Sequence, residues 1–204
     1  MRIRLTFAKQ GALRYTGHLD LHKIWERSAR RAGLQLAYSQ GFHPQPKIQI
    51  AAALPLGFSS RCEIVDMWLN NEPDLSHLGE IIQAAVPPGL QILTVETVDD
   101  RAPALQTLVD SAAFEVTVLD PQAQIDLPRR LSAVMEAETL PRERRGKAYD
   151  LKLLIESLEF LPPDKITMRL AARPSATGRP EEVLDQLGIP FEETRIERTR
   201  LILK

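Results

Sequence analysis

Residues 17–33, GHLDLHKIWERSARRAG, decide the reading of the fold. Leu21, Ile24, Trp25, Ser28, Ala29 and Ala32 recur at the i, i+3, i+4, i+7, i+8, i+11 spacing of one helix face, and Gly33 follows as a C-terminal cap. Before this helix, RIRLTF (2–7) sets Ile3, Leu5 and Phe7 at every second position, the period of a half-buried strand. After it, 34–39 reads as a short extended piece, 40–47 as a Gly/Pro-punctuated connection and 48–54 as a strand. A turn at 57–61 leads into a strand over 62–69. Asp74 then reads as the N-cap of a helix carrying Leu75, Leu78, Ile81, Ile82 and Ala85, stopped by Pro87-Pro88-Gly89, and 90–98 supplies a last strand. The order β-α-β-β-α-β is that of a ferredoxin-like unit.

Regular patterning lapses over 99–109, which reads as a linker. Beyond it, AFEVTVL (113–119) alternates as a strand, 127–137 has helical spacing, 148–160 is ambiguous and 165–171 is a strand. Pro180, Glu181, Glu182 and Gly188 bracket a compact helix, and 195–203 alternates again. This is a degenerate copy of the first order. The expected class is therefore α+β, with tandem ferredoxin-like (βαββαβ) units at 1–98 and 110–204 and no detectable sequence repeat between them.

Of the 204 residues, 44% are hydrophobic and 26% charged, ordinary values for a chain that folds. The longest apolar stretch, 48–58, is broken by Gln49, Pro55 and Gly57 and falls short of the roughly 20 residues a membrane helix needs. MRIRLTFAKQ at the N-terminus lacks the uninterrupted apolar core of a signal peptide, and the single cysteine, Cys62, excludes an internal disulfide or a Cys-rich zinc site. A cytoplasmic protein without a membrane association is expected.

Net charge is -1, but residues 1–60 hold nine Lys/Arg against two acids, a local +7 offset by -8 in the remainder. A basic segment in a neutral chain localises attraction for a polyanion, because Lys and Arg on phosphates release condensed counterions. On the first helix Lys23, Arg27 and Arg31 recur at i, i+4, i+8, with Arg30 beside them and Glu26 as the nearest acid; the alternative is a solvated helix face. His18 and His22 stand one turn apart, but no third ligand, HExxH or cysteine cluster accompanies them, so no metal is expected. YSQGFHPQPK (38–47) presents Phe42, His43 and Lys47 on a connection stiffened by Pro44 and Pro46, a mix that suits unpaired bases and phosphates; the plainer reading is a rigid turn with Phe42 plugging the core. A ferredoxin-like topology predicts that His18, His22 and His43 share one concave surface with Tyr15 and Lys47, extended by Arg27 and Arg31. PRERRGK (141–147) is a second basic loop, in which Arg144 and Arg145 are candidate phosphate contacts. An acid/base ribonuclease would need a proton acceptor and donor at one phosphodiester, for which His43 and His18 are the candidates. No P-loop, dinucleotide-binding glycine fingerprint or Gly-x-Ser-x-Gly elbow occurs.

The run HLDL (18–21), ERSARRAGL (26–34), AYSQGFHPQPKI (37–48) and ALPLG (53–57) resembles the bacterial radical-SAM-linked protein family, a domain of unknown function. Looser similarity continues through YDLKLLI (149–155), GRPEEVLDQLG (178–188) and RIERTRLIL (195–203). Members of that family occur beside or fused to a B12-type radical-SAM protein and commonly near genes for an RNase E/G type ribonuclease and ribosomal proteins, so the resemblance implies an RNA- or translation-linked accessory role with a radical-SAM partner, and assigns no catalytic residues. With Cys62 alone, the chain lacks the Cys-x3-Cys-x2-Cys iron-sulfur cluster motif, and any radical chemistry would belong to the partner. A weaker likeness is to the CRISPR repeat-processing RAMP endoribonucleases, whose glycine-rich C-terminal loop is not matched by the separated Gly178 and Gly188.

These readings converge on an RNA-binding accessory protein that needs no cofactor of its own and is more an adaptor than an enzyme. The alternatives are a metal-independent endoribonuclease of the RAMP type and a purely structural, protein-binding subunit.

Overall fold

In strand β1 (Arg2–Lys9) the alternation read from the sequence sorts the side chains cleanly, with Ile3, Leu5 and Phe7 fully buried on one face and Arg2, Arg4 and Thr6 on the other. The computed structural model describes all residues 1–204, which divide into two units, Met1–Val109 and Asp110–Lys204. The architecture is α+β.

The first unit continues with α1 (His18–Arg31), β2 (Ile48–Ile50), β3 (Ser59–Trp68), α2 (Leu78–Ala85), β4 (Leu90–Val98) and the single turn α3 (Leu105–Leu108). Its strands lie in the order β4-β1-β3-β2, each neighbouring pair antiparallel. Leu21, Trp25 and Ala29 of α1 and Leu78 and Ile82 of α2 close over Ile3, Leu5, Phe7, Val65 and Met67 as one core, in which Phe7 and Trp25 meet edge to face with centroids 4.7 Å apart. Gly33 ends α1 at φ +73 in a Schellman motif: its N–H donates to the Arg30 carbonyl at 3.1 Å and that of Leu34 to Ala29 at 2.9 Å.

The opposite face of this sheet is not simply solvated. Arg4 and Asp66 are register partners on β1 and β3, so both project to this side along with Arg2 and Trp68. Asp66, fully buried, accepts from Arg2 Nη2 at 2.6 Å and Nε at 2.9 Å, and from Arg4 Nε at 2.8 Å. Arg2 also donates to the carbonyls of Ala102 and Pro103 at 2.8 and 3.0 Å, and the Leu105 N–H donates to Gln49 Oε1 at 3.1 Å. The 99–109 segment, read from sequence as a linker, therefore lies against the first unit, with Leu105 fully buried.

Other differences are local. Residues 34–39 make only isolated bridges, and the strand expected over 48–54 keeps its ladder for Ile48–Ile50 alone. Asp74 does not cap α2. Its carboxylate accepts from the N–H and hydroxyl of Ser76 at 2.9 and 2.8 Å, closing a turn that delays the helix to Leu78.

The second unit runs β5 (Val109–Val118), α4 (Leu127–Glu136), β6 (Pro141–Arg144), β7 (Lys147–Asp150), β8 (Ile155–Leu161), β9 (Lys165–Arg173), β10 (Ala176–Thr177), α5 (Pro180–Gln186) and β11 (Thr194–Leu203). Its strands are ordered β10-β9-β5-β11, with β8 also on β9. Since β5 and β8 pair with the same residues of β9, they flank it on opposite edges. The PRERRGK loop of the sequence reading is a separate β6–β7 hairpin. Its two-residue turn has positive φ at Arg145 (54) and Gly146 (75), the handedness that matches strand twist.

Removing the Asp66 carboxylate leaves two guanidinium groups on a covered sheet face without their shared acceptor. Asp66→Ala is expected to lower unfolding stability by about 3–5 kcal/mol, measured by urea denaturation; a loss below about 1 kcal/mol would show that this cluster does not hold the unit together.

Candidate nucleic-acid interface

The segment 38–46 forms a hairpin that interrupts an edge strand. Residues 35–37 and 47–50 both pair with β3: the Ala37 N–H donates to the Trp68 carbonyl at 2.7 Å, and the Trp68 N–H donates to the Lys47 carbonyl at 3.1 Å. One residue of β3 thus holds both arms. Between them the chain is closed by Lys47 N–H to Ala37 O and by Ser39 N–H to Gln45 O, both 2.8 Å, and by Gln45 N–H to Ser39 Oγ at 3.0 Å. At the tip, Gly41 has φ +131 and Phe42 is 102% exposed. Phe42 does not plug the core; the hairpin carries it away from the sheet.

At the hairpin's root lies a cleft of about 360 Å³, lined by Ser39, Gln45, Lys47, Gln49 and Trp68 among others. The Arg2 guanidinium, held by Asp66, lies over the Trp68 ring at 4.7 Å from its centroid and fixes it. On the helix side, Tyr38 receives a long 3.5 Å contact from Arg30, itself paired with Glu26 at 2.5 Å.

These contacts settle where the sequence candidates stand. His18 belongs to the far end of the sheet: it feels Glu63, whose register partner on β1 is Phe7, whereas the hairpin is rooted at Trp68, opposite Arg2. Five strand residues separate these points, about 17 Å. His18 and His22 are near one another, but His43 and Lys47 belong to the hairpin end. Tyr15, stacked under Arg14 at 4.7 Å, belongs to the short 3-10 turn that precedes α1. The shared surface of three histidines with Tyr15 and Lys47 is therefore not formed. The reason is that 34–39 never crosses the sheet; it bridges Leu69 through Leu36 and turns at once into the hairpin.

The basic count also shrinks on folding. Arg2, Arg4 and Lys9 point inward, Lys9 donating to the Thr16 carbonyl at 2.9 Å. Arg31 donates to the Ala85 carbonyl at the C-terminal end of α2 at 2.7 Å, a contact the helix dipole favours. Lys23 keeps only a 3.9 Å approach to Asp20. Arg27 and Lys47 are exposed and have no partner. In the second unit Arg144 donates to Glu182 at 2.5–3.0 Å and lies over the Tyr149 ring at 4.9 Å, and Arg142 is paired with Asp185, so both fasten the β6–β7 hairpin to α5. Arg145, at the turn, stays exposed. Trp68, Gln45 and Gln49 were not singled out by sequence reasoning. Asp66 standing alone in the apolar run IVDMW was the available signal that the second sheet face carries something other than solvent.

No group of three or more His, Cys, Asp or Glu is placed to hold a metal ion, and no helix is long and apolar enough to cross a membrane. What the site defines is an α+β chain whose first unit presents an aromatic-tipped hairpin over a cleft rich in hydrogen-bond donors. The chain belongs to an uncharacterized protein family conserved in bacteria (DUF2344), whose profile matches residues 2–180. No curated protein matches it.

Partial desolvation, and then the neighbouring His22, lower the pKa of His18 below 6.5, against a smaller opposing pull from Glu63. The folded state then binds fewer protons here than the unfolded state, so this contribution to stability falls as pH drops below 6.5. An NMR titration of the ring should place its midpoint below 6.5, and a midpoint at or above that value would contradict the burial described.

Proposed function

We propose that this chain is an RNA-binding accessory protein that works with a radical-SAM partner in RNA or ribosome-related processing or modification. The observation that carries the RNA reading is Phe42. A phenylalanine held fully in solvent on a hairpin closed by two backbone–backbone hydrogen bonds and a third to Ser39 Oγ gains nothing for the fold, and with the unpaired Lys47 at the root of the same hairpin it supplies the aromatic and cationic groups that single strands use for stacking and charge neutralisation. Arg27, one helical turn from Arg30 and the Tyr38 contact, extends the cationic surface along α1. The radical-SAM partner rests on the family resemblance in the sequence. Two ferredoxin-like units are the proposed frame, supported by the strand order of each. The ribonuclease reading is weakened, because His18 and His43 belong to opposite ends of the first unit's sheet and do not converge on one phosphodiester.

Fluorescence anisotropy with a labelled single-stranded RNA tests the reading. Affinity should fall with salt at a slope of about -0.7 per phosphate neutralised. Phe42→Ala should weaken binding by roughly fivefold to a hundredfold with little change in that slope, whereas Arg27→Ala should reduce the slope by about one contact. Equal affinity of wild type and Phe42→Ala would refute the role given to the hairpin. Absence of RNA binding, together with loss of a co-purifying protein from Phe42→Ala, would transfer this surface to a protein partner.

A further inference from the structure

We propose that the cleft at the root of the hairpin is a single-nucleotide pocket, which takes one unpaired base of an RNA strand against Trp68 and prefers the keto bases uracil and guanine. The inference rests on the RNA reading and gives it a specificity. Its volume of about 360 Å³ sits at the small end of ligand pockets, which span about 300–1,000 Å³, a size for one nucleotide rather than a helix or a peptide. Trp68 supplies a ring that is already immobilised: Arg2 lies over it at 4.7 Å and is itself fixed by Asp66 and by the carbonyls of Ala102 and Pro103. A preset aromatic platform avoids the ordering cost that a free side chain would add to binding.

Three side chains of the cleft offer donors, beside Gln45, whose amide offers both a donor and an acceptor. Lys47 is exposed and unpaired. Gln49 has its carbonyl oxygen occupied by the Leu105 N–H at 3.1 Å, which settles the orientation of its amide and leaves the NH2 group to point elsewhere. Ser39 Oγ already accepts from Gln45 N–H at 3.0 Å, leaving its hydroxyl proton to donate. No carboxylate lines the cleft, and the nearby Asp66 is neutralised by two arginines. Such a site suits a ligand rich in acceptors: a phosphate at Lys47 and a base carbonyl at Gln49. With the 4/6-position edge of the base turned to Gln49, the N6 and N4 amino groups of adenine and cytosine would set donor against donor, while O6 of guanine and O4 of uracil accept.

Tryptophan emission reads the pocket directly, since Trp25, the other tryptophan of the chain, is fully buried in the core. Full-length protein is titrated with hexauridylate, hexacytidylate and uridine monophosphate, and binding of the same hexamers is followed in parallel by anisotropy. Hexauridylate should quench Trp68 saturably and bind on the order of tenfold more tightly than hexacytidylate, the worth of one or two hydrogen bonds. Trp68→Phe should abolish the quench while keeping a stacking ring and most of the affinity. Lys47→Ala, at an exposed position outside the core, should weaken hexauridylate severalfold with an unchanged thermal midpoint. Hexamers that bind with the expected salt slope but leave Trp68 emission unchanged, or bind without preference for uridine, would refute the pocket and leave the RNA reading standing. Failure of every strand to bind would overturn both. Uridine monophosphate binding as tightly as hexauridylate would replace the strand with a free nucleotide and overturn the proposal in this form.

Discussion

One carboxylate organises the first unit. Asp66 sits on a covered face of the sheet where an uncompensated charge would cost several kcal/mol, and it is tolerable only because two guanidinium groups from the neighbouring strand meet it within 3.0 Å. That pairing constrains register. A slip of one residue between β1 and β3 would send Arg4 and Asp66 to opposite faces and at the same time turn Ile3, Leu5 and Phe7 out of the core. Hydrophobic alternation and ion pairing thus select the same alignment. The remaining donors of Arg2 then select which segment covers this face, by capturing the carbonyls of Ala102 and Pro103.

The candidate site grows out of the same frame. Trp68 ends β3 two residues after Asp66, on the same face, so its ring comes to lie under the Arg2 guanidinium that Asp66 holds, while its backbone takes both arms of the hairpin. Platform, cleft and hairpin are therefore one rigid construction, consistent with siting recognition groups on short extensions of a stiff sheet rather than on long loops. The side chains of Phe42 and Lys47 are the exposed parts of that construction.

Much of this was legible in the sequence where a period repeats often enough. The α1 face, its glycine stop and the alternation of β1 follow from spacing alone, and the structure keeps them almost to the residue. The direction of the 38–46 hairpin was not legible, because it depends on the Trp68 backbone, some thirty residues away, and not on any local preference. The charge count misled for a related reason. Alternation marks Arg2 and Arg4 as facing away from the core, which reads as solvent, whereas a single buried acid across the sheet removes them from the surface. In the second unit, PRERRGK reads as a basic loop until Arg144 finds Glu182, 38 residues further on.

The docking of 99–109 bears on where this chain can be divided. Compositional reading puts a boundary at residue 98, but a fragment ending there would strip Arg2 of two carbonyl acceptors and uncover the sheet face that Leu105 closes. It would also free the Gln49 amide to rotate. A fragment that ends at Val109, where the first unit gives way to the second, keeps Ala102, Pro103 and Leu105 on that face. The stretch that looks in sequence like a tether is, in physical terms, the inner wall of the first unit.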